Sequence, residues 1–248
     1  MYTLEVACGN MDSVHAAING GADRIELCAA LSVGGITPGD GFIRHAIEVS
    51  NVPVFVMIRP REGDFVYTQE EFEIMLKDIT RCRELQVQGV VAGMLHPDGN
   101  IDVERSAKLV EAAGSMSVTF HRAFDLSKDP LVSLEAIIQC GFHRLLTSGQ
   151  EYSAPTGAAC ISQLMKQNAG RIQIMAGAGV NAQNVVSLIQ NTGVREVHLS
   201  GKTMIPGKMT FKRNTLTMGT PDSDEYSLAV TDPHQIQNVR TLLDSLHE

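Results

Sequence analysis

Short runs of aliphatic residues with period-two alternation trade places with stretches of helical periodicity along the whole chain. Thr3–Cys8 reads as a first strand, and Met11–Asn19 as a helix capped by Asn10 or Asp12. A second strand is expected at 24–28. The glycine-rich loop Val33-Gly34-Gly35-Ile36-Thr37-Pro38-Gly39 then leads into a helix at about 42–50. A strand at 54–59, a polar loop at 60–67 and a long helix follow. Thr68 caps that helix, which runs to about Leu85 with Glu70 and Glu71 in its first turn. Strand 89–95 precedes the turn His96-Pro97-Asp98-Gly99-Asn100 and the helix Val103–Ala113. Strand 117–122 is followed by a helix opened by Asp129-Pro130, running to Cys140 and stopped by Gly141. The pattern continues with strand Arg144–Thr147, helix 157–168, strand 171–176, helix 181–190 and strand 195–199. An irregular segment, 201–231, precedes a last helix at 233–246.

About eight strand–helix units without a composition break call for a parallel sheet. Eight of them in roughly 250 residues fit an α/β fold, a single (β/α)8 TIM barrel over 1–248. An open doubly wound sheet would carry a GxGxxG turn after the first strand, and none is present. Segment 201–231 is too long for a plain loop, so it is expected to order across the end of the barrel or at a subunit contact.

Alternation also assigns faces. Turning the most aliphatic positions toward the helices puts Leu4, Val6, Ile25, Leu27, Val197 and Leu199 outside. Glu5, Ala7, Glu26, Cys28, Arg59, Thr119, His121, Thr147, Met175 and His198 then face the barrel interior. The third strand fits either phase, and the one that brings Arg59 inside is chosen. The mouth of such a barrel would hold two carboxylates, a guanidinium, two imidazoles and a thiol. Loop residues Arg61, Asp64, Arg122, Asp125 and Ser148 would lie nearby. A buried salt-bridge layer of Glu5 and Glu26 with Arg59 would account for part of this. Such layers add little net stability, however, and clustering at the strand ends favours a binding or catalytic site.

Two glycine turns add a second signal. Gly177-Ala178-Gly179 after strand seven and Ser200-Gly201 after strand eight stand where backbone amides of many barrels hold a phosphate or another anion. One reading of the chain is therefore an enzyme, of isomerase, epimerase or lyase type, acting on a small anionic metabolite, phosphorylated or carboxylated. Arg59 and Arg61 would clamp an anionic group, Glu5 or Glu26 would be the general base, and His121 its partner acid. No lysine stands at an inferred strand end except Lys202, just past strand eight, which disfavours Schiff-base chemistry.

The net charge of −8 and the scattered lysines and arginines argue against nucleic acid as a partner. No apolar run is long enough to span a bilayer, and the first residues lack a secretory pattern, so a cytoplasmic protein away from membranes is expected. Five cysteines, Cys8, Cys28, Cys82, Cys140 and Cys160, include no CxxC pair, which excludes a zinc ribbon and disfavours a disulfide framework.

Several longer stretches carry a family resemblance. They are Gly20-Gly21-Ala22-Asp23-Arg24-Ile25-Glu26-Leu27-Cys28, Gly34-Gly35-Ile36-Thr37-Pro38, Ile58-Arg59-Pro60-Arg61-Glu62-Gly63-Asp64-Phe65, Val118-Thr119-Phe120-His121-Arg122-Ala123-Phe124-Asp125, Leu146-Thr147-Ser148-Gly149 and Asp224-Glu225-Tyr226-Ser227. Through them the chain resembles, over nearly its full length, the CutC family of proteins described as acting in copper homeostasis. The resemblance implies a cytoplasmic (β/α)8 barrel, self-associating as a homo-oligomer such as a dimer, with a role in copper handling or copper(I) binding. No organic cofactor is implied. Cys28 stands where copper binding is proposed in the family. The partner cysteine that some members carry in the first strand falls at Ala7, with Cys8 beside it and, by alternation, facing the other way. Met175 and His198 are the candidate substitute ligands.

Overall fold

The computed structural model describes residues 1–213, 215–216, 218 and 224–246. Eight parallel strands close into a barrel in chain order: β1 (Thr3–Cys8), β2 (Arg24–Leu27), β3 (Val54–Met57), β4 (Gly89–Ala92), β5 (Ser117–Phe120), β6 (Arg144–Thr147), β7 (Gln173–Gly177) and β8 (Glu196–Leu199). The helices α1 (Met11–Asn19), α2 (Asp40–Val49), α3 (Gln69–Glu84), α4 (Val103–Ala113), α5 (Pro130–Gln139), α6 (Ala158–Asn168) and α7 (Val185–Thr192) follow the strands in alternation, and α8 (Pro233–Ser245) completes the ring. Among the described residues no helix is long and apolar enough to cross a membrane.

Side chains that accept backbone N–H bonds start several of the helices. Asn10 caps α1, Thr68 and Glu71 form a reciprocal capping box on α3, Asp102 caps α4, and Asp129 and Asp232 cap α5 and α8 ahead of a proline in the first turn. The aliphatic faces of the strands, among them Leu4, Val6, Ile25, Leu27 and Val197, pack against the helices in one continuous core.

The barrel interior is filled in layers drawn alternately from even and odd strands. The lowest layer holds Arg24, Gly89, Arg144 and Glu196, the first residues of the four even strands. Above it come Glu5, Phe55, Thr119 and Met175 from the odd strands, then Glu26, Val91, Leu146 and His198 from the even ones. Glu196 accepts from both arginines, Arg24 at 2.6 Å and Arg144 at 2.5 Å, and Arg24 also donates to Glu5. Both guanidiniums lie over the Phe55 ring, 5.0 and 5.5 Å from its centre. That ring occupies the space a side chain at position 89 would need, since a Cβ on Gly89 would fall 2.6 Å from it.

Some element boundaries differ from those expected. Strand four stops at Ala92 because the chain turns away and Leu95 bonds Phe65 and bridges Ile101. Strand five stops at Phe120, because His121 caps a 3-10 helix at Arg122–Leu126. Helix α7 begins at Val185 rather than 181, because Asn181 and Asn184 accept the first free amides themselves. The segment expected to be irregular, 201–231, carries two antiparallel strands, β9 (Lys202–Pro206) and β10 (Ser227–Thr231). Asn10 donates to the Ala229 carbonyl and Ser13 accepts from the Thr231 amide, so the hairpin is tied to α1 beside the barrel mouth.

Replacing Glu196 by Gln removes the carboxylate that Arg24 and Arg144 share. We expect a loss of about 3–5 kcal/mol in urea denaturation, because two buried cations lose their counter-charge. A loss below about 1 kcal/mol would mean that water serves the arginines equally well.

Candidate active site at the barrel mouth

A cavity of about 890 Å³ opens at the carboxyl ends of the strands. Its lining includes Glu26, Arg59, Phe65, His121 and His198 from the barrel side, the turns after β7 and β8, and part of the β9–β10 hairpin. This is the end where barrel enzymes carry their chemistry.

The ion layer below sets the charge state of the cavity floor. Burial alone would push the Glu5 carboxyl up. The Arg24 guanidinium and a 2.7 Å hydrogen bond with His198 Nδ1 outweigh it and hold Glu5 down at about 2. Burial would likewise lower His198, but Glu26 and Glu5 on either side raise it above the ordinary imidazole value. His198 Nε2 lies 3.8 Å from Glu26 Oε2. The ligand-type atoms of Glu5, Glu26 and His198 all fall within 4.8 Å of one another. Glu26 is 2 % exposed and its carboxyl is raised, chiefly by burial and only partly offset by His198. Its Oε2 accepts from the Cys28 thiol at 3.4 Å, and its Oε1 has no partner.

His121 is built differently. The Ala123 amide donates to its Nδ1 at 3.2 Å, which leaves the ring proton on Nε2. That Nε2 is buried without a partner. Phe65 packs on the ring at 4.9 Å between centres, and Gly93 makes room for it, since a Cβ there would fall 2.8 Å from Nδ1. Burial first, and the nearby Arg59 charge second, lower His121 to about 3, so it is a neutral hydrogen-bond donor across the physiological range.

The structure gathers some of the sequence-assigned residues and disperses others. Glu26, Arg59, His121, Arg122, Asp125, His198, Gly179, Ser200 and Gly201 line the cavity, with Glu5 directly beneath. The expected Glu5–Glu26–Arg59 layer is not formed: Glu5 pairs with Arg24, and Arg59 spends both terminal nitrogens on the carbonyls of Val33, Gly35 and Gly63. Arg61 and Asp64 do not reach the mouth. Arg61 is bound to Glu71, to Asp64 and to the Val66 carbonyl at the start of α3, which ends its role as an anion clamp. Thr147 was expected inside, but Arg144 and Leu146 take the inward positions of β6. Thr147 turns out to bond Asp125, which also accepts from the Ser148 hydroxyl and the Gln150 amide. Gly177 backs onto Leu146 and His198, where a Cβ would fall 2.6 Å from Leu146. Cys8 sits in the shell between strands and helices, whereas Cys28 is sealed inside the barrel with Phe55, Met57 and Val91, so the two thiols do not share a site.

Arg24, Arg144 and Glu196 went unassigned in the sequence although they govern the floor. Their signal was a charged residue opening three of the four even strands. Phe65 and Lys202 were also missed as parts of the wall, because loop contacts have no period.

The depressed pKa of His121 gives a stability signature. The unfolded chain takes a proton near 6.5 that the native ring refuses until about 3, so this group withdraws stability as pH falls between those values. Glu5 acts in the same direction lower down. Its contribution is complete above its unfolded value of 4.5 and is lost as pH falls toward about 2. His121→Gln is expected to flatten the decline of urea stability between pH 6.5 and 4 relative to the wild type. Imidazole nitrogen spectra should show a neutral Nε2–H form at pH 5, and titration of His121 near 6.5 would remove its assignment as a neutral donor.

Comparison with known proteins agrees with this architecture. Residues 2–203 match the CutC family. A CutC family protein of Vibrio vulnificus (strain CMCP6) is 48% identical over 247 residues, 99% of each chain. Another from Pasteurella multocida (strain Pm70) is 47% identical over 241 residues, 97% of this chain and 98% of its own. The crystal structure of the putative copper homeostasis protein CutC from Streptococcus agalactiae is 35% identical. It aligns with a TM-score of 0.76 over 80% of this chain and 98% of that one. N-(5'-phosphoribosyl)anthranilate isomerase from Pyrococcus furiosus, 14% identical with a TM-score of 0.59, covers 99% of this chain and 100% of that one, and shares the fold alone. The matched span takes in all eight barrel strands together with Glu5, Glu26, His121 and His198, and on that basis the chain belongs to the CutC family.

Proposed function

We propose that this protein is an enzyme that moves a proton at carbon, taking it from a position next to the carbonyl of a small anionic metabolite and returning it, as an isomerase, epimerase or lyase does. The observation that carries this reading is the meeting, in one cavity, of a buried carboxyl with an unpartnered oxygen and a neutral imidazole with an unpartnered Nε2–H. Burial makes Glu26 a stronger base than an ordinary carboxylate. As the C–H bond breaks, Glu26 accepts the proton and the electron pair moves onto the carbonyl oxygen. His121 Nε2–H donates to that oxygen without first having to lose a charge, the role a neutral histidine plays opposite a glutamate base in triosephosphate isomerase. His198, held between Glu5 and Glu26 with its proton affinity raised by both, orients the base and can supply a proton on its return when protonated.

Deuterium uptake from D2O by small hydroxy-ketones and keto acids, followed by proton NMR, tests this. Exchange is expected at the carbon beside the carbonyl. Glu26→Gln should slow it about 10²–10⁴-fold, and His121→Gln about 10²–10³-fold. Equal rates in the wild type and Glu26→Gln would overturn the reading.

The relative from Streptococcus agalactiae is named a putative copper homeostasis protein, and carrying that role to this chain is a second reading, with copper as cargo. Copper(I) asks for thiolate and thioether donors. Here burial keeps the Cys28 proton on, Cys8 lies on the other side of the strands, and Met175 Sδ receives Arg24 at 3.3 Å. His198 Nδ1 and both Glu5 oxygens are engaged with one another and with Arg24. This donor set does not fit copper(I). Anaerobic titration against a chromophoric chelator is expected to show only weak binding, the same in Cys28→Ser. Tight binding abolished by that substitution would reinstate the copper reading.

The same proposal takes the protein as a cytoplasmic homodimer. Five free cysteines suit a reducing compartment. Exposed Met204, Ile205, Phe211 and Leu228 on and beside the hairpin give an apolar surface for self-association.

A further inference from the structure

The turns after β7 and β8 have their carbonyls committed to the protein and their amides free. The Ala178 carbonyl accepts the Ala154 amide, and the Gly179 carbonyl accepts both the Asn181 and Asn184 side-chain amides, at 3.2 and 2.8 Å. In a planar trans peptide the N–H points opposite to the C=O. The amides of Gly179 and Val180 are therefore turned away from those donors, and both residues line the cavity. Across from them the Ser200 carbonyl accepts the Thr231 hydroxyl at 2.9 Å, which turns the Gly201 amide away in the same manner. None of these three amides has an acceptor among the described residues. The left-handed backbone at Ala178 and Gly179, with φ of 77° and 72°, sets this orientation.

Charge at this end is one-sided. Lys202 lines the cavity immediately after Gly201, is exposed, and joins no salt bridge among the described residues. The two carboxylates that line the cavity, Glu26 and Asp125, belong to β2 and to the turn after β5, not to these loops. Three amides and an ammonium converging from two separate turns favour a compact anion with three terminal oxygens and up to two negative charges. A phosphate monoester has both, whereas a carboxylate brings two oxygens and a single charge.

We infer that the substrate is a phosphate monoester whose phosphate is held by the Gly179, Val180 and Gly201 amides and by Lys202. This rests on the proton-transfer reading for the identity of the other end of the molecule. The phosphate would anchor the metabolite at the β7–β8 side and leave its carbonyl carbon to Glu26 and His121. That division suits catalysis, because binding energy from the non-reacting group positions the reacting one.

Glycerol 3-phosphate, glycerol and inorganic phosphate, titrated into the isotopically labelled wild-type protein and Lys202→Met, test the inference by amide NMR. Saturable shifts centred on Gly179, Val180 and Gly201 are expected with glycerol 3-phosphate and inorganic phosphate, and none with glycerol. Lys202→Met should weaken binding about tenfold, and added salt should weaken it in the wild type more than in the variant. The substitution is at an exposed side chain, so the fold is not at risk. Shifts centred elsewhere, unchanged affinity in Lys202→Met, or no saturable shift at millimolar concentration would each overturn it. The titration needs no turnover, so its failure leaves proton transfer to be judged by deuterium exchange. Absence of exchange, conversely, leaves the phosphate site standing.

Discussion

The buried ion layer of Glu5, Arg24, Arg144 and Glu196 is the constraint on which the rest of the site depends. Two carboxylates and two guanidiniums in a barrel interior are tolerable only together, because each alone would carry the full cost of leaving water. Phe55 fills the space between the guanidiniums, and the missing side chain at Gly89 admits its ring. An apolar plug of the same volume would pack as well. It would not, however, deliver a fixed negative charge under the mouth, and Glu5 does. By staying ionised, Glu5 orients His198 and favours its charged form, and His198 in turn stands beside Glu26.

Above that floor the two walls of the cavity are kept in opposite states. On the β1–β2–β8 side, titratable groups are concentrated: a charged Glu5, an imidazole whose proton affinity the carboxylates raise, and a carboxyl raised by burial. On the β5 side His121 is isolated from carboxylates, bonded through Nδ1 to a backbone amide and faced by the Arg59 charge, so it remains neutral. Groups whose environments push their proton affinities apart can divide the tasks of base and donor. Arg59 serves this arrangement without touching a ligand through its terminal nitrogens. It is pinned by three carbonyls and lies over Phe65, which itself packs on His121.

Much of this was legible along the chain. Alternation along β1, β2 and β8 assigned Glu5, Glu26, Cys28 and His198 to the interior, since a strand whose other face is uniformly aliphatic has one way to turn. The third strand, ambiguous in sequence, took the phase that brings Phe55, Met57 and Arg59 inside. The same logic failed at β6. Leu145, Leu146 and Thr147 allow either phase, and Arg144, which decides it, looks like a surface residue until its partner Glu196 is known.

The architecture, the face of most strands and the end at which chemistry would gather could be read along the chain, because they follow from local periodicity and from the rule that aliphatic faces leave water. Which polar groups are spent on one another and which remain available emerges only when the barrel closes. Arg24 meets Glu196 across 172 residues of chain, and no spacing announces that. The same holds for Arg61, consumed by Glu71, for Thr147 and Ser148, consumed by Asp125, and for the amides of Gly179 and Val180, freed because their neighbouring carbonyls found partners elsewhere. A residue's type states what it can bond, and the closure of the barrel determines whether that capacity is already used.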